Sequence, residues 1–540
     1  MYLINKNLYG GGKNQWSVLK HNGPMFPPAY IPHRIPIIIN NQPFILSPKA
    51  EELATLFARY IGTQYMEISR FKKNFWKDFK KVLPTNFPAN SIDEINFDSI
   101  KKHLEKEREE RLSLSKEEKE KLKEKRIKEE EPYQYCIIDG ARQKVGNFRI
   151  EPPGIFIGRG NHPKIGRVKA RIKPEDVIIN LDKESPIPKP NVPGEWKEVI
   201  HDRKVIWLAS WKEEITGKTK YVFTSVEAVF KSKSDEKKFD LAKKLKYKIK
   251  SIREQYEKNM ESSDVQKKQL ACALFLIDKL ALRVGGKKDS KKEADTVGVT
   301  SLRVEHISFP EKQVIKLDFL GKDSIRFCKK VNVPELVYSN LQNFSYDKPR
   351  KDKLFDQINA QILNNYLNNF MKDLTAKVLR TFKASTLFQK EIDKITEDKV
   401  KSIEESQRIA YLIALFHQAN TSVALLCNHQ KNVSSKINER IEKFNTRIKE
   451  LKKKRRKYKE KKKREAAEKL KNKIKLLVIK RDNKQRMKNV SLGTSKDNYI
   501  DPRIIISFIK RFDIPMEKLL SKSWIRRFEW AMVVDSNYRF

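Results

Sequence analysis

Two heptad stripes separated by a very basic stretch are the feature that most restricts how this 540-residue chain can fold. Apolar residues recur at alternating spacings of four and three, and residues 451–465 between the stripes contain eleven Lys and Arg in fifteen positions. Such spacing buries one apolar seam between helices and leaves a charged middle in water. The sequence therefore predicts an antiparallel coiled-coil hairpin. The seam positions are Ile437, Ile441, Phe444, Ile448 and Leu451 in the first stripe, and Ala467, Leu470, Ile474 and Leu477 in the second.

The charge balance of the chain indicates a polyanionic partner. There are 115 Lys and Arg against 69 Asp and Glu, a formal net charge of +46. A soluble surface does not need such an excess, whereas contacts with phosphates gain affinity from released counterions. An anionic membrane is the rival partner. Because no long apolar segment and no signal peptide are evident in the sequence, we expect any membrane contact to be peripheral.

The cysteines and the missing motifs exclude several classes of site. Cys136, Cys272, Cys328 and Cys427 are far apart and form no CxxC pair, so we expect four thiols in a reducing compartment. The sequence contains neither GxxxxGK[ST] nor HExxH. ATP binding of the P-loop type and zincin chemistry are therefore unsupported. We expect no cofactor and no metal.

Residue patterning predicts a mixed α/β, mainly helical fold. Residues 48–83 have the apolar spacing of one or two helices, and 101–131 are typical of an exposed helix with paired opposite charges. Residues 133–230 contain short strands between Gly and Pro turns. Helices follow from about 235 to 430, including one over 263–283. They are interrupted by a strand pair, 314–319 and 325–327, joined through 321–324.

A chain without nucleotide or metal motifs would have to break a phosphodiester with side chains alone. This reaction needs a nucleophile, cations that stabilise the pentavalent phosphorane, and an acid for the leaving oxygen. Arginine suits the cationic role because its fork contacts two phosphate oxygens and stays charged. In a chain this basic, composition alone cannot select the arginines concerned.

Longer motifs make that selection possible. The block IDKLALRVGG…EADTVGVTSLRVEHI (277–307) and the segments FLGKDSIRF, LTAKVLRTFKAS, LLCNHQK and SLGTSKDNYIDPRI resemble the catalytic core of eukaryotic nuclear type IB DNA topoisomerases, in the family's order. Upstream, GRGNHPKIG and SPKAEELATLFA resemble the cap that encircles DNA in that family. The resemblance runs from about Trp16 to Phe540. Several long motifs in order are far more specific than any one of them.

The resemblance implies a two-lobed clamp around DNA, with a β-rich and helical cap, a helical catalytic core, a coiled-coil linker and a small C-terminal domain that carries the nucleophile. We expect cap and DNA-binding lobes over 1–228, a catalytic core lobe over 229–432, the linker over 433–488 and the C-terminal domain over 489–540. We expect this chain to lack the family's long charged N-terminal tail and expect nuclear targeting from 452–464.

The resemblance also assigns roles to five residues. Tyr499 matches the nucleophile, which forms a phosphotyrosine with the 3′ end and releases a 5′ hydroxyl. Arg283, expected to close the helix IDKLALR, and Arg380 match the two catalytic arginines. His429 matches the histidine that donates a hydrogen bond to a non-bridging oxygen, and Lys322 matches the general acid. Locally, Thr494 or Ser495 is expected to cap the helix that presents Tyr499, and Pro502 is expected to perturb or end that turn.

Further residues match DNA contacts near the cleavage site in that family. Three of the matching positions surround the camptothecin-binding site in the family, so we expect this drug class to trap the protein on DNA. These positions are Arg159, Asp323 and Asn498. The full set of expected DNA-binding residues is Arg159, Asn161, Lys164, Asp323, Lys377, Thr494 and Asn498.

The implied activity is relaxation of positive and negative supercoils, without ATP or a catalytic metal, by a monomer on double-stranded DNA in the nucleus. A tyrosine recombinase uses similar residues and is the nearest alternative; it needs a synaptic oligomer. A non-catalytic DNA-binding chromatin protein is the alternative to which the charge alone points. A small poxvirus-like enzyme fits poorly, because this chain is longer and carries the cap motifs.

Overall fold

The computed structural model describes residues 14–286, 293–430, 437–486, 488 and 490–540. The chain divides into two compact units, one of residues 1–231 with 288–295 and the other of residues 232–287 with 296–540. The four-part division expected from the sequence stays a prediction. Its boundaries at 432–433 and at 489 lie outside the described residues.

The described part of the first unit combines small sheets with four α-helices, α1 to α4. Its sheets have the strand orders β1-β5-β6, β3-β2-β4, β7-β8 and β10-β9-β11-β12, of which only β9 and β10 pair in parallel among the described strands. The strands are β1 (Leu19–His21), β2 (Ile37–Ile39), β3 (Gln42–Phe44), β4 (Ile95–Asn96), β5 (Tyr135–Ile138), β6 (Ala141–Lys144), β7 (Gly154–Ile155), β8 (Val168–Lys169), β9 (Val177–Asn180), β10 (Glu198–Ile200), β11 (Ala209–Lys212) and β12 (Thr219–Val222). The helices are α1 (Pro48–Ala58), α2 (Ser69–Phe79), α3 (Asp98–Ser113) and α4 (Lys116–Glu130).

The apolar pattern over residues 48–83 forms two helices, α1 and α2. Ser47 caps α1 by accepting a hydrogen bond from the Ala50 backbone, and Pro48 occupies the first turn, where no backbone donor is needed. The helices meet through buried aromatic rings, with Phe57 and Phe75 stacked at a centroid distance of 4.4 Å. These rings form one of the hydrophobic cores of the first unit.

The charged segment that follows is exposed, as its composition predicts, but it forms two helices instead of one. The chain breaks between α3 and α4 at Leu114 and Ser115. Ser115 and Glu118 then form a reciprocal capping box that starts α4. Most side chains of α3 and all but Glu130 of α4 are exposed.

The second unit is mainly helical around one three-stranded sheet of order β13-β14-β15. The strands are β13 (Ile307–Glu311), β14 (Val314–Leu320) and β15 (Arg326–Asn332). The helices are α5 (Val229–Leu245), which begins at the unit boundary, α6 (Ile249–Asn259), α7 (Val265–Leu280), α8 (Glu335–Ser345), α9 (Ala360–Phe370), α10 (Ala376–Asp393), α11 (Glu397–Lys401), α12 (Glu405–Leu426), α13 (Ile437–Glu460), α14 (Arg464–Arg486), α15 (Leu492–Asn498), α16 (Pro502–Arg511) and α17 (Lys522–Arg527).

One large core joins the N-terminal and C-terminal parts of this unit. The Phe416 ring on α12 contacts two other rings, with its centroid 5.5 Å from that of Phe388 on α10 and 5.9 Å from that of Phe508 on α16. All three side chains are fully buried. The core therefore fixes α16 against helices that lie about one hundred residues earlier in the sequence.

The two heptad stripes form α13 and α14, joined by three residues, so the helices run antiparallel. Their seam buries Ile448, Leu451 and Ile474. A second face of α14 packs on α12, where Leu476 is buried with Tyr411. The basic middle of the hairpin is mostly exposed.

Helix α12 corrects one expectation. It is long and apolar enough to cross a membrane by length and composition, whereas no such segment was expected from the sequence. Half of its apolar window is buried inside the structure, and Asn483 of α14 donates a hydrogen bond to its Ala414 carbonyl at 2.7 Å. Buried packing of this kind is typical of a core helix.

Candidate active site

Lys322 lies in the turn of the sheet hairpin predicted from the sequence. Strands β14 and β15 pair without a register shift from Val314–Asn332 to Leu320–Arg326. The turn bends sharply because Asp323 and Ser324 adopt left-handed backbone angles, with φ of 69° and 58°. Lys322 is exposed at this turn, on a rigid support, as expected for a residue that meets a ligand.

Arg283 is placed differently from the sequence expectation, because it does not close α7. The helix ends at Leu280, and Ala281 adopts the left-handed conformation that terminates helices, with φ of 51°. Arg283 follows in an extended segment whose carbonyl accepts a hydrogen bond from Val299 at 2.9 Å. Gly298 makes this possible, since a Cβ there would lie 2.4 Å from the Gly285 nitrogen.

Arg380 is buried in the first half of α10 and only 4% exposed. Its Nη2 donates to the Cys427 carbonyl at 2.5 Å and lies 3.3 Å from His429 Nε2. Its Nε is buried without a hydrogen-bond partner among the described residues. An unpaired buried donor is costly, and at a pocket it indicates an absent acceptor such as a phosphate oxygen.

His429 follows the end of α12. Asn428 before it takes a left-handed conformation, with φ of 50°, and turns the chain away from the helix. The His429 carbonyl accepts a hydrogen bond from the Ser491 backbone at 2.8 Å, and Nδ1 lies 2.7 Å from the Ser495 hydroxyl oxygen. The C-terminal segment therefore holds this histidine from its backbone and from its ring.

Tyr499 occupies the C-cap of α15, so the capping expectations are wrong. Thr494 and Ser495 lie inside α15, which is preceded by Ser491. Pro502 does not end the turn; it begins α16, which Asp501 caps by accepting a hydrogen bond from the Arg503 backbone. Tyr499 is only 5% exposed.

The five predicted catalytic residues meet in the second unit. The Tyr499 ring lies 5.3 Å from the His429 ring and 4.8 Å from the Arg380 guanidinium carbon. The Arg283 guanidinium also interacts with the Tyr499 side chain. An open pocket with a volume of about 100 Å³ lies here. It is lined by Arg283, Lys322, Arg380 and His429, while Tyr499 is packed against two of these residues and is outside the lining.

The expected DNA-binding residues are not all brought to this pocket. Asp323 and Thr494 line it. Asn498 is on α15, one residue before Tyr499, and the exposed Lys377 is on α10, three residues before Arg380. The remaining three, Arg159, Asn161 and Lys164, belong to the first unit.

Burial and positive charge set the protonation of the histidine. Burial first, and then the charges of Arg380 and Arg283, lower the pKa of His429 from 6.5 to about 3. Burial also lowers the pKa of Arg283, while its contact with Tyr499 opposes this effect. At neutral pH the site therefore holds two arginines and an uncharged imidazole around a tyrosine. Such a set can stabilise negative charge that develops on phosphate oxygens.

This protonation predicts a pH dependence of stability. Because the pKa of His429 falls from 6.5 to about 3 on folding, the unfolded chain binds a proton between these pH values that the folded chain does not. The free energy of unfolding should therefore decrease as the pH falls below about 6.5. We expect the melting temperature of the wild type to fall between about pH 7 and pH 4.5, and that of His429→Gln to fall less, in thermal scans followed by circular dichroism.

Above about pH 7 the two melting curves should run parallel, because the histidine is then uncharged in both the folded and the unfolded state. This region serves as the internal control. Parallel curves at acid pH as well would show that His429 takes up a proton as easily in the folded protein as in the unfolded chain.

Two buried serines support this site. Sequence reasoning assigned no role to Ser385, and it expected Ser495 only as a possible helix cap. The Ser385 hydroxyl donates to the Tyr499 carbonyl at 3.0 Å and accepts from the Asp501 backbone at 2.9 Å. Ser495 contacts His429, and both serines are fully buried. Ser385 lies one helical turn from Thr381 and from Gln389, which are also polar and buried, so no pattern in the sequence singles it out.

Comparison with models of known protein families gives matches along most of the chain. The protein-family model described as "Eukaryotic DNA topoisomerase I, DNA binding fragment" matches residues 14–224. The family model described as "Eukaryotic DNA topoisomerase I, catalytic core" matches residues 227–462. The model described as "C-terminal topoisomerase domain" matches 471–540. Together the three matches extend over nearly the whole chain.

Individual relatives give the same result. The chain is 41% identical to DNA topoisomerase 1 beta of Arabidopsis thaliana over 98% of its own length, and spans 60% of that protein. It is 41% identical to DNA topoisomerase 1 of Caenorhabditis elegans, covering 96% of this chain and 67% of the relative. It is 39% identical to DNA topoisomerase 1 of Homo sapiens, covering 97% of this chain and 72% of the relative. The chain therefore belongs to the eukaryotic DNA topoisomerase I family.

Proposed function

We propose that this chain is a type IB DNA topoisomerase that relaxes positive and negative supercoils through a transient single-strand break, without ATP or a catalytic metal. The arrangement around Tyr499 carries the proposal. Two arginines and a neutral histidine surround the tyrosine, and the buried Nε of Arg380 is without a partner among the described residues. A phosphodiester is a group that such donors can hold.

In the proposed reaction, the Tyr499 oxygen bonds to phosphorus and its proton passes to water. The bond from phosphorus to the 5′ oxygen breaks, and Lys322 gives a proton to that oxygen. Arg283, Arg380 and His429 stabilise the charge on the non-bridging oxygens. One phosphoester replaces another, so the tyrosyl link conserves the bond energy and ATP is not required. The free end rotates about the intact strand and then attacks the link to reseal it.

The DNA contacts follow the same proposal. The proposed architecture is a two-lobed clamp around the duplex, with cap and DNA-binding core lobes over 1–228, a catalytic core lobe over 229–432, a coiled-coil linker over 433–488 and a C-terminal domain over 489–540. Contacts would be mostly to phosphates and therefore largely independent of base sequence. We further propose that the protein acts as a monomer in the nucleus and that camptothecin traps it on DNA. The proposed contact residues are Arg159, Asn161, Lys164, Asp323, Lys377, Thr494 and Asn498.

Relaxation of a supercoiled plasmid in EDTA without ATP tests the activity. We expect complete relaxation of positively and of negatively supercoiled substrate, by a protein that sediments as a monomer on DNA. Tight binding without relaxation would favour a non-catalytic chromatin protein. Strand exchange between two duplexes by an oligomer would favour a recombinase.

The cationic hairpin is proposed to retard rotation of the cleaved strand. Residues 437–486 contain 23 Lys and Arg against 7 Asp and Glu, so this hairpin holds +16 of the net charge of +46. Its basic middle is mostly exposed, and such a surface near the duplex would exert electrostatic drag.

Replacing Lys452, Lys453 and Lys457 with glutamine is expected to weaken DNA binding and to speed rotation. Each phosphate contact that is lost reduces the slope of log K against log salt by about 0.9, so three exposed lysines should lower it by up to about 3. The slope is measured by fluorescence anisotropy of a labelled duplex, and rotation by single-molecule supercoil relaxation.

Helix α4 offers a matched control. The segment 98–130 has 12 Lys and Arg against 11 Asp and Glu, and its Lys121, Lys123 and Lys125 are equally exposed helical lysines. The same three glutamine substitutions there should leave the slope and the rotation rate nearly unchanged. An equal effect from both sets would mean that only net charge matters and that the hairpin has no special contact with DNA.

A further inference from the structure

Ser495 lies one helical turn before Tyr499 and is fully buried. Its hydroxyl oxygen is 2.7 Å from Nδ1 of His429, and its carbonyl accepts the backbone N–H of Tyr499 at 2.9 Å. The segment is fixed from outside as well, because Asn420 on α12 donates to the Leu492 carbonyl at 3.2 Å. Ser495 therefore contacts both the His429 ring and the backbone of Tyr499, the proposed nucleophile.

The neighbours of the His429 ring define which nitrogen holds the proton. Nε2 lies 3.3 Å from Nη2 of Arg380, and a guanidinium can only donate hydrogen bonds. Nε2 must therefore be the acceptor. A neutral imidazole carries one proton, so that proton is on Nδ1 and is donated to the Ser495 oxygen.

This tautomer conflicts with the role proposed for His429 on DNA. A hydrogen bond to a non-bridging phosphate oxygen requires a proton on Nε2. Nδ1 then becomes an acceptor and needs a donor at the same place. A hydroxyl both donates and accepts, whereas a carboxylate or carbonyl would only accept and would keep the proton on Nδ1. Serine therefore satisfies Nδ1 in both tautomers.

We propose that Ser495 is a positioning residue that lets His429 change tautomer when DNA binds. In the free protein the Ser495 oxygen accepts from Nδ1–H. On DNA, Arg380 turns to the phosphate, Nδ1 releases its proton to water, Nε2 takes one from water, and the Ser495 hydroxyl rotates to donate to Nδ1. The net charge of the ring does not change. The inference rests on the proposed function, since it concerns the same phosphate contact.

Nitrogen NMR of the histidines tests the tautomer directly and needs no activity. The chain has eight histidines, so the protein is labelled with ¹⁵N-histidine and the His429 signals are assigned by their loss in His429→Gln. Tyr499→Phe protein is measured free and with a duplex oligonucleotide. We expect Nδ1 protonated in the free protein and Nε2 protonated on DNA. The same tautomer in both samples would overturn the proposal, even if the wild type proves fully active.

A double-mutant cycle tests the functional consequence. Single-turnover cleavage of a suicide duplex is measured for Ser495→Ala, for His429→Gln and for both together. We expect Ser495→Ala alone to slow cleavage by about tenfold, the effect of one lost hydrogen bond on a transition state. In the His429→Gln background it should have almost no further effect. Equal slowing in both backgrounds would overturn the proposal.

Two variants separate this role from simple packing. Ser495→Thr keeps the hydroxyl and is expected to restore most of the cleavage rate and the tautomer change. Ser507→Ala removes another buried hydroxyl. Ser507 is on α16, and its hydroxyl donates to the Ser536 carbonyl at 2.9 Å. This variant should leave the cleavage rate unchanged. If the wild type itself fails to cleave, the proposed function fails and the NMR result still decides the tautomer proposal.

Discussion

Tyr499→Phe is expected to abolish covalent attachment to DNA and plasmid relaxation while leaving DNA binding unchanged. Phenylalanine keeps the ring that packs against His429 and Arg380 and loses only the hydroxyl that contacts Arg283. Without this oxygen no phosphotyrosine forms. The rate of DNA cleavage should therefore fall by at least about 10⁴-fold, a loss typical of enzymes whose covalent nucleophile is removed. The measurement is adduct formation with an end-labelled suicide duplex on a denaturing gel, beside anisotropy for binding.

Tyr256→Phe is the matched control. Tyr256 is as buried as Tyr499, at 4% against 5% exposed, and its hydroxyl donates to Asp278 at 3.2 Å. Its loss should cost about 1 kcal/mol of stability and no activity. If Tyr499→Phe still forms an adduct at the wild-type rate, another nucleophile acts and the assignment of the site is wrong.

Local sequence patterns predicted the elements whose structure depends on near neighbours. Strands β14 and β15 and their turn follow alternation within about twenty residues, and the turn at Lys322 was predicted with them. Helices α13 and α14 follow heptads that any antiparallel pair would bury. The identities of the five proposed catalytic residues came from longer motifs and from no periodicity.

The errors have causes that are distant in sequence. The helix expected to reach Arg283 ends early, because the segment after Ala281 is held by residues 298–300, and this approach requires glycine at 298. Thr494 and Ser495 lie inside α15 because the helix begins earlier, at Leu492. Its start is held by distant residues, since the Ser491 backbone donates to the His429 carbonyl and Asn420 of α12 donates to the Leu492 carbonyl. Nothing near Tyr499 in the sequence indicates those partners. Periodicity likewise shows that α12 is apolar and does not show what covers it. In the structure α12 packs against α10, α14 and α15.

Arg380→Lys is expected to slow cleavage by about 10² to 10³-fold with little change in DNA affinity. The Arg380 guanidinium is buried, it bonds to the Cys427 carbonyl, and its Nε is left without a partner among the described residues. Lysine keeps the charge and has no planar fork, so it cannot hold two phosphate oxygens while it keeps the Cys427 contact. The slower cleavage should appear in the single-turnover rate at saturating DNA, because the guanidinium fork stabilises charge that develops only in the transition state.

Arg527→Lys is the matched control, since Arg527 is also buried but already paired. Its Nε donates to Asp235 at 2.9 Å, so its fork is occupied by a carboxylate and is not available to a phosphate. This variant should lower the melting temperature, because breaking a buried ion pair destabilises the fold. Its cleavage rate should stay within about threefold of wild type, because the paired guanidinium does not hold phosphate. Equal loss of cleavage in both variants would mean that any buried arginine of this unit supports activity only through folding. The unpartnered Nε of Arg380 would then have no role in holding phosphate.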